Sequence, residues 1–338
     1  MNTVENSKLI FAELGLKTAE PMETAMESTN LETADHVNCA QCGSDDIDVI
    51  FEKGVAQISR VVRCRRCNLM YANPREQLVD HADYERYEPI GLLDGVESDK
   101  QHAYRWRFDK EAGQVRDFDH TAQLLRRLHP DRGHVVEVGS GLGFLLKSFK
   151  DDGWKVTGVD PWREVASFTE SFHGFETVTT TLEQARFPDE SADVVVILHV
   201  IEHVPDPLET LREIFRILRP GGHLVLETPR YDTLMFKLMG RRERSIRQDG
   251  HIYFFTTETL KNAYEAAGFQ EVDTRFVGRT LTGERLLWNA ANIIRSERIS
   301  DATAKLSHGL GLQRLTLSMN LRDMQRVVVK KPQEAVSH

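Results

Sequence analysis

No stretch of this 338-residue chain approaches the roughly 18 consecutive apolar residues of a membrane-spanning helix, so there is no candidate for a helical span. The N-terminus, MNTVENSKLIFAELGLKTAE, lacks the basic start and apolar run of a secretory signal, and the expectation is a cytoplasmic protein. Basic residues are the minority charge, with 43 Lys and Arg against 52 Asp and Glu, and the net charge of -9 repels a phosphate backbone at long range. Non-specific nucleic-acid binding is therefore disfavoured unless a local basic patch overrides it. Internal repeats and low-complexity tracts are absent too. What is present suffices for a packed core, since 40% of the residues are hydrophobic. The length, more than twice a typical domain of roughly 150 residues, excludes a peptide or a lone zinc module.

Residues 1–36 carry seven acids (Glu5, Glu13, Glu20, Glu23, Glu27, Glu32, Asp35) against Lys8 and Lys17, and read as a disordered acidic tail. Cysteine is scarce and local. All four lie in one 29-residue window, as Cys39-x2-Cys42 and Cys64-x2-Cys67 with 21 residues between the pairs. Each C-x2-C knuckle aims two thiolates at one point, and two knuckles complete the tetrahedral sulfur shell of a closed structural zinc site. The segment between them alternates like short strands around Gly54, as a zinc ribbon over 37–75 should. A redox dithiol would leave one pair unexplained. A helical connector (76–130) follows, with apolar residues near helical spacing from Ala103 to Leu128.

From His134 the pattern becomes short β-branched runs alternating with helical segments, which predicts a parallel α/β sheet. Strands are expected at His134–Val138, Lys155–Val159, Asp193–Leu198, His223–Glu227, Gln270–Phe276 and Gln325–Val329. The first ends in Glu137-Val-Gly139-Ser-Gly141-Leu-Gly143, whose glycines let the backbone turn sharply and keep side chains away from a ligand lying across the strand ends. The G-x-G-x-x-G of dinucleotide sites is missing, because Phe144 stands where its last glycine would be. Asp160, 21 residues after Gly139, ends the second strand, where a carboxylate can accept both hydroxyls of a ribose. The next buried strand ends in His199-Val-Ile-Glu202-His203-Val-Pro205-Asp-Pro207, at the edge where open α/β sheets bind ligands.

EVGSGLG, Asp160, SADVVVILHVIEHVPDP, LRPGGHLVLETP and HIYFFTTETLKNAYEAAGF, taken in order, resemble class I S-adenosylmethionine-dependent methyltransferases, closest to the ubiquinone-pathway and natural-product small-molecule group. CAQCG, CRRCN and YANPR are similar to the zinc ribbon that precedes such domains in some bacterial small-molecule methyltransferases. The resemblance implies a Rossmann-like seven-stranded methyltransferase sheet over 131–332, with an antiparallel last strand supplied by MQRVVVKK, plus the small N-terminal zinc ribbon. It implies that Glu137, Gly139 and Gly141 line the methionine part of S-adenosylmethionine and that Asp160 holds its ribose. Leu182 and Glu183 would flank the adenine, and His199 would lie near the sulfonium. In the ubiquinone-pathway group two Glu and one His near this strand end accompany a divalent cation, but here His199 stands where the first Glu would be.

Methyl transfer needs the acceptor aligned for in-line attack and, for a hydroxyl, a base. The candidates are His203, expected at the start of the helix after the fourth strand, and His251 in DGHIYFF. On one helical face His199, Glu202 and His203 could also form a nitrogen and oxygen metal site; the plainer expectation is that Glu202 and His203 bond to each other and to nearby backbone. Arg241, Arg242, Arg244 and Arg247 could recognise an anionic acceptor. Arg60, Arg63, Arg65 and Arg66 keep a nucleic-acid reading alive. The segment Leu281–Ile299 reads as a substrate lid or a homodimer face, and helix packing explains it equally well. The leading reading is O-methylation of a small molecule; the alternatives are an RNA or protein methyltransferase guided by the ribbon, or a non-catalytic scaffold.

Overall fold

The computed structural model describes residues 36–52, 60–75, 117–162, 169–242, 250–282 and 316–333, together with 115, 166 and 246. The acidic tail before His36, the connector over 76–114 and the part of Leu281–Ile299 beyond Thr282 lie outside the described residues.

Short runs that are apolar on both faces make strands buried on both faces, each joined to the next by a helix. This logic organises the larger part of the chain. β4 (His134–Val138), β5 (Lys155–Val159), β6 (Thr177–Val178), β7 (Ala192–Leu198), β8 (Leu218–Pro229), β10 (Gln270–Thr282) and β11 (Thr316–Lys330) form one seven-stranded sheet. Its order is β10-β11-β8-β7-β4-β5-β6, with β11 antiparallel to both neighbours and β4 to β8 parallel, as the resemblance implies. β8 starts earlier than expected because Arg219-Pro-Gly-Gly222 continues straight into it. β10 and β11 run on past the sheet, from Arg279↔Met319 to Thr282↔Thr316. There each strand pairs with the other alone.

Alternate side chains point to opposite faces, so each strand feeds two cores. On one face Val135, Val194, Val196, Val225 and Val328 meet Phe118, Leu125 of α1 (Asp119–Leu128) and Leu145, Leu146 and Phe149 of α2 (Phe144–Asp151). On the other, Val136, Val195, Ile197, Leu224, Leu226 and Val327 meet α3 (Pro207–Ile217) and α4 (Thr257–Ala266). Asp206 caps α3, accepting from the Leu208 and Glu209 N–H groups at 2.9 and 3.0 Å, with Pro207 in the first helical position where its missing N–H is harmless.

The ribbon is part of this second core. β1 (Ile47–Phe51), β2 (Val61–Cys64) and β3 (Met70–Ala72) form an antiparallel sheet completed by β9 (Tyr253–Phe254), a strand supplied by the far end of the α/β sequence. Cys39, Cys64, Leu69 and Tyr71 are buried in the same cluster as Leu208, Leu211, Tyr253 and Phe255.

Where α1 ends, His129 Nε2 lies 2.8 Å from His223 Nδ1 on β8, with Trp154 edge-on to His129. Burial holds both imidazoles below their usual pKa, and His129 and Lys330 press His223 further, to about 4. The unfolded chain binds the proton near pH 6.5, so this pair's contribution is complete above that pH and is lost as pH falls towards about 4. Urea melts should lose about 2 kcal/mol between roughly pH 7 and pH 5 through this ring, and His223→Gln should remove that part of the slope. An unchanged slope in the variant would assign the acid sensitivity elsewhere.

Candidate active site and cysteine centre

The carboxyl ends of β4, β5 and β7 lie side by side, and the glycine loop leaves the first of them. Gly139, Gly141 and Gly143 all have positive φ (70°, 53° and 75°). Space forces the choice as well as conformation: a Cβ on Gly139 would sit 2.3 Å from Val200 Cγ2, and one on Gly143 2.6 Å from Phe175 Cζ. Asp160, buried at the end of β5, clasps the loop; its Oδ2 accepts from the Gly141 N–H at 3.0 Å and its Oδ1 from the Trp162 N–H at 3.1 Å. Each carboxylate oxygen can accept more than one hydrogen bond, so this clasp is compatible with ribose recognition. Glu137 is buried at the end of β4. Two buried carboxylates beside a glycine turn fit a ligand that carries an ammonium group and vicinal hydroxyls. Leu182 is buried in the turn after β6, and neighbouring Glu183 is exposed and accepts from Thr210 Oγ1 at 2.7 Å.

A second cluster fills the edge beyond β7. His199 has a positive φ of 58° and is one-quarter exposed, with Nε2 3.2 Å from Glu227 Oε1 and Nδ1 3.7 Å from Glu202 Oε1. Burial opposes protonation of His199, but its pairing with the two glutamates outweighs it and raises its pKa. Burial also opposes ionisation of Glu202 and Glu227, yet His199 lowers both to about 2, helped by His251 and His203 at Glu202 and by Arg326 at Glu227. Arg326 Nε donates to Glu227 Oε2 at 2.6 Å, and Thr228 Oγ1 donates to Glu202 Oε2 at 2.9 Å. His251, also buried, has Nε2 3.9 Å from Glu202 Oε1 and Nδ1 3.4 Å from the Tyr231 hydroxyl. His203 is half-buried, and its Nδ1–H donates to the Gly250 carbonyl at 2.8 Å, which puts the lone pair on Nε2.

Three expectations need correction here. His199, Glu202 and His203 do not share a helical face: 199–205 is a turn, because α3 cannot begin before its Asp206 cap, and His203 lies in that turn ahead of the helix. Glu202 and His203 do not bond to each other; they bond to Thr228 and to Gly250 respectively. The residues that converge as metal-capable donors are Glu202, His203 and His251, whose ligand atoms lie within 4.8 Å of one another, while His199 is held between the two glutamates. One carboxylate and two imidazoles would suit zinc or a similar divalent ion.

Sequence reasoning missed Glu227 and Arg326. The acid that interrupts the apolar run of LVLETP was a signal for the first; nothing local marks Arg326, which lies 99 residues away from its partner. The arginines read as patches are partly engaged. Arg63 and Arg65 pair with Asp48, and Arg65 also with Asp46. Arg241 is exposed, and Arg244 and Arg247 lie outside the described residues.

The four cysteine sulfurs also lie within 4.8 Å of one another, with Cys39 and Cys67 at 3.4 Å and Cys42 and Cys64 at 3.5 Å. An ion with four Zn–S bonds of about 2.3 Å spaces its sulfurs about 3.8 Å apart, and these two distances fall within about 0.4 Å of that spacing. All four are free thiols. The hydrogen bond from Cys67 holds the Cys39 thiol down to about 5, and the same bond pushes Cys67 up.

Residues 106–274 match the family model described as "Methyltransferase domain". A ubiquinone biosynthesis O-methyltransferase of Vibrio parahaemolyticus is 37% identical over 101 residues, 28% of this chain and 43% of that protein. One of Vibrio cholerae is 35% identical over 101 residues, covering 28% and 41%. The chain thus spans about two fifths of the length of the curated relatives it matches. A solved SAM-dependent methyltransferase from Archaeoglobus fulgidus superposes with a TM-score of 0.41 at 22% identity, covering 63% of this chain and 94% of that one. With the family model matching half of its length, on a seven-stranded sheet that ends in a glycine loop and a strand-end acid, the chain belongs to the methyltransferase-domain family of class I S-adenosylmethionine-dependent enzymes.

Proposed function

We propose that this protein transfers a methyl group from S-adenosylmethionine to an oxygen of a small-molecule acceptor, using a base on the turn after β7. The observation that carries the reading is one juxtaposition: a glycine loop clasped by Asp160 and a histidine of fixed tautomer, His203, occupy the same edge of the sheet. When bound, S-adenosylmethionine supplies an electrophilic methyl group on a sulfonium. Glu137, Gly139 and Gly141 receive its methionine part, Asp160 its ribose, and Leu182 and Glu183 flank its adenine. His199 faces the reacting side, and its ion pairs with Glu202 and Glu227 keep an imidazolium there balanced.

His203 is the better base. It is half-buried, and its Nδ1–H is committed to Gly250, so Nε2 can take the acceptor's proton; His251, at 2% exposure, lies deeper and backs Glu202. The matched relatives are named for methylation at oxygen, which favours oxygen over carbon or nitrogen here. The net charge of -9 and the pairing of Arg63 and Arg65 with Asp46 and Asp48 weigh against a ribbon that reads RNA. The run of Arg241, Arg242, Arg244 and Arg247 in the sequence is the feature that favours an anionic acceptor. Cys39, Cys42, Cys64 and Cys67 hold a structural zinc whose shell of four thiolates has no open position for chemistry.

Isothermal titration should give micromolar or tighter binding of S-adenosylhomocysteine and none of NAD. Asp160→Ala should weaken that binding about 10- to 100-fold with an unchanged circular dichroism spectrum; unaltered affinity would remove Asp160 from the site. Metal analysis should return about one zinc per chain, lost in Cys64→Ser, and a folded, metal-free wild type would sink the ribbon assignment. With an acceptor in hand, His203→Ala should lower kcat about 100- to 1000-fold at constant cofactor affinity, and more than His251→Ala does. Two fully active variants would leave alignment as the whole mechanism.

A further inference from the structure

The strand that closes the ribbon's sheet begins two residues after His251. β3 bonds β9 in the register Met70↔Phe254 and Tyr71↔Tyr253, and the Ala72 N–H donates to the Ile252 carbonyl at 2.9 Å. On its other side this segment holds the turn that carries Glu202: the Ile252 and Tyr253 N–H groups both donate to the Glu202 carbonyl, at 2.9 and 3.1 Å. The Gly250 carbonyl, one residue before His251, is what fixes the His203 ring. Four consecutive residues, Gly250 to Tyr253, therefore link the cysteine module to both acceptor-side histidines.

Arg75, where the chain leaves the ribbon, ties the same parts together a second time. Its Nη2 donates to the Pro205 carbonyl at 2.9 Å and to the Tyr253 hydroxyl at 2.8 Å, and that hydroxyl donates to Pro205 at 2.9 Å. The guanidinium also lies 4.8 Å from the centre of the Tyr253 ring. Pro205 is two residues beyond His203. Its carbonyl is thereby held to the ribbon exit and to β9 at once. A module tethered only by a linker would not bury Cys39 and Cys64 among the side chains of α3 and β9, as this one does.

We infer that the ribbon is an internal positioning element: by pairing β3 with β9 and clamping Pro205 through Arg75, the zinc-loaded module holds His203 and His251 in register with the cofactor edge. Arg75 is the positioning residue, acting through Pro205 and Tyr253 without touching an acceptor. The inference rests on the methyltransferase reading of the two histidines. Its physical basis is that a base displaced by about 1 Å loses on the order of a hundredfold in rate, and that a ring whose Nδ1 partner moves loses its fixed tautomer.

The test needs no acceptor. In full-length, zinc-loaded protein with 15N-labelled histidine, long-range proton–nitrogen spectra, assigned by His203→Gln, should show His203 as the Nδ1–H tautomer. Arg75→Ala should keep about one zinc per chain and bind S-adenosylhomocysteine within about twofold of wild type, while the His203 signal shifts to a mixture of tautomers. Arg75→Lys, which can still donate to Pro205, should restore the single tautomer. Chelating the zinc from wild type should reproduce the Arg75→Ala histidine spectrum with S-adenosylhomocysteine still bound. An unchanged His203 signal in Arg75→Ala would overturn the inference, as would loss of cofactor binding in step with the histidine change, which would mark a general structural role. Failure of wild type to bind S-adenosylhomocysteine would instead strike the methyltransferase reading, and the histidine comparison would still decide whether the ribbon sets the ring.

Discussion

Two carboxylates, Glu202 and Glu227, are buried on either side of His199 at the carboxyl edge of the sheet, and most of the local architecture answers to them. An ionised carboxylate without partners in such a place would be expelled or protonated. Arg326 reaches Glu227 from β11, Thr228 reaches Glu202 from β8, and His199 lies between the two. With His199 protonated the cluster holds two negative and two positive charges. His199 meets both acids from a left-handed backbone conformation, one that β-branched or bulky residues avoid. The strained φ at the end of β7 is thus the geometric counterpart of the charge balance.

This arrangement bears on what a cationic ligand meets at that edge. A lone imidazolium would repel a sulfonium; one held at 3.2 and 3.7 Å by two glutamates presents little net charge. The same Glu202 uses its second oxygen on Thr228 and turns Oε1 towards His251. The cluster therefore runs from Arg326, packed over Phe118 on one face of the sheet, through the strand ends to the histidines on the other. Removing one member would leave a buried charge without compensation, which is why the group behaves as a unit.

The parts legible in the sequence are those written in local pattern. Buried parallel strands are short β-branched runs, so β4, β5 and β7 were readable to within a residue, and the glycine loop and Asp160 followed from strand ends. The cysteine pairs announced their own cage. The turn over 199–205 was misread because the spacing of His199, Glu202 and His203 suits a helical face, and the competing signal, Asp206 capping a helix that starts at Pro207, outweighs spacing. His251 could not be placed beside Glu202 from pattern, since it lies 49 residues later in the sequence, with all of α3 and β8 in between. β9 is two residues long and pairs with residues about 180 positions earlier. No periodicity can declare such a strand, and its partner was legible only as part of a separate module.

That last contact changes what the module is. A ribbon that served an outside partner would be expected to keep its knuckles and basic side chains turned to solvent and its sheet closed on itself. Here the sheet is open until β9 completes it, two of the four cysteines are in the enzyme's core, and Arg63 and Arg65 are neutralised by Asp46 and Asp48. Burial of Tyr71 and Leu69 against Tyr253 and Phe255 stabilises the joint by roughly 1.5–3 kcal/mol per large side chain, far more than the exposed ion pairs contribute. The fold of the cysteine module and the position of the histidine segment are therefore parts of one folding equilibrium, joined through the backbone bonds of Ala72 and Ile252.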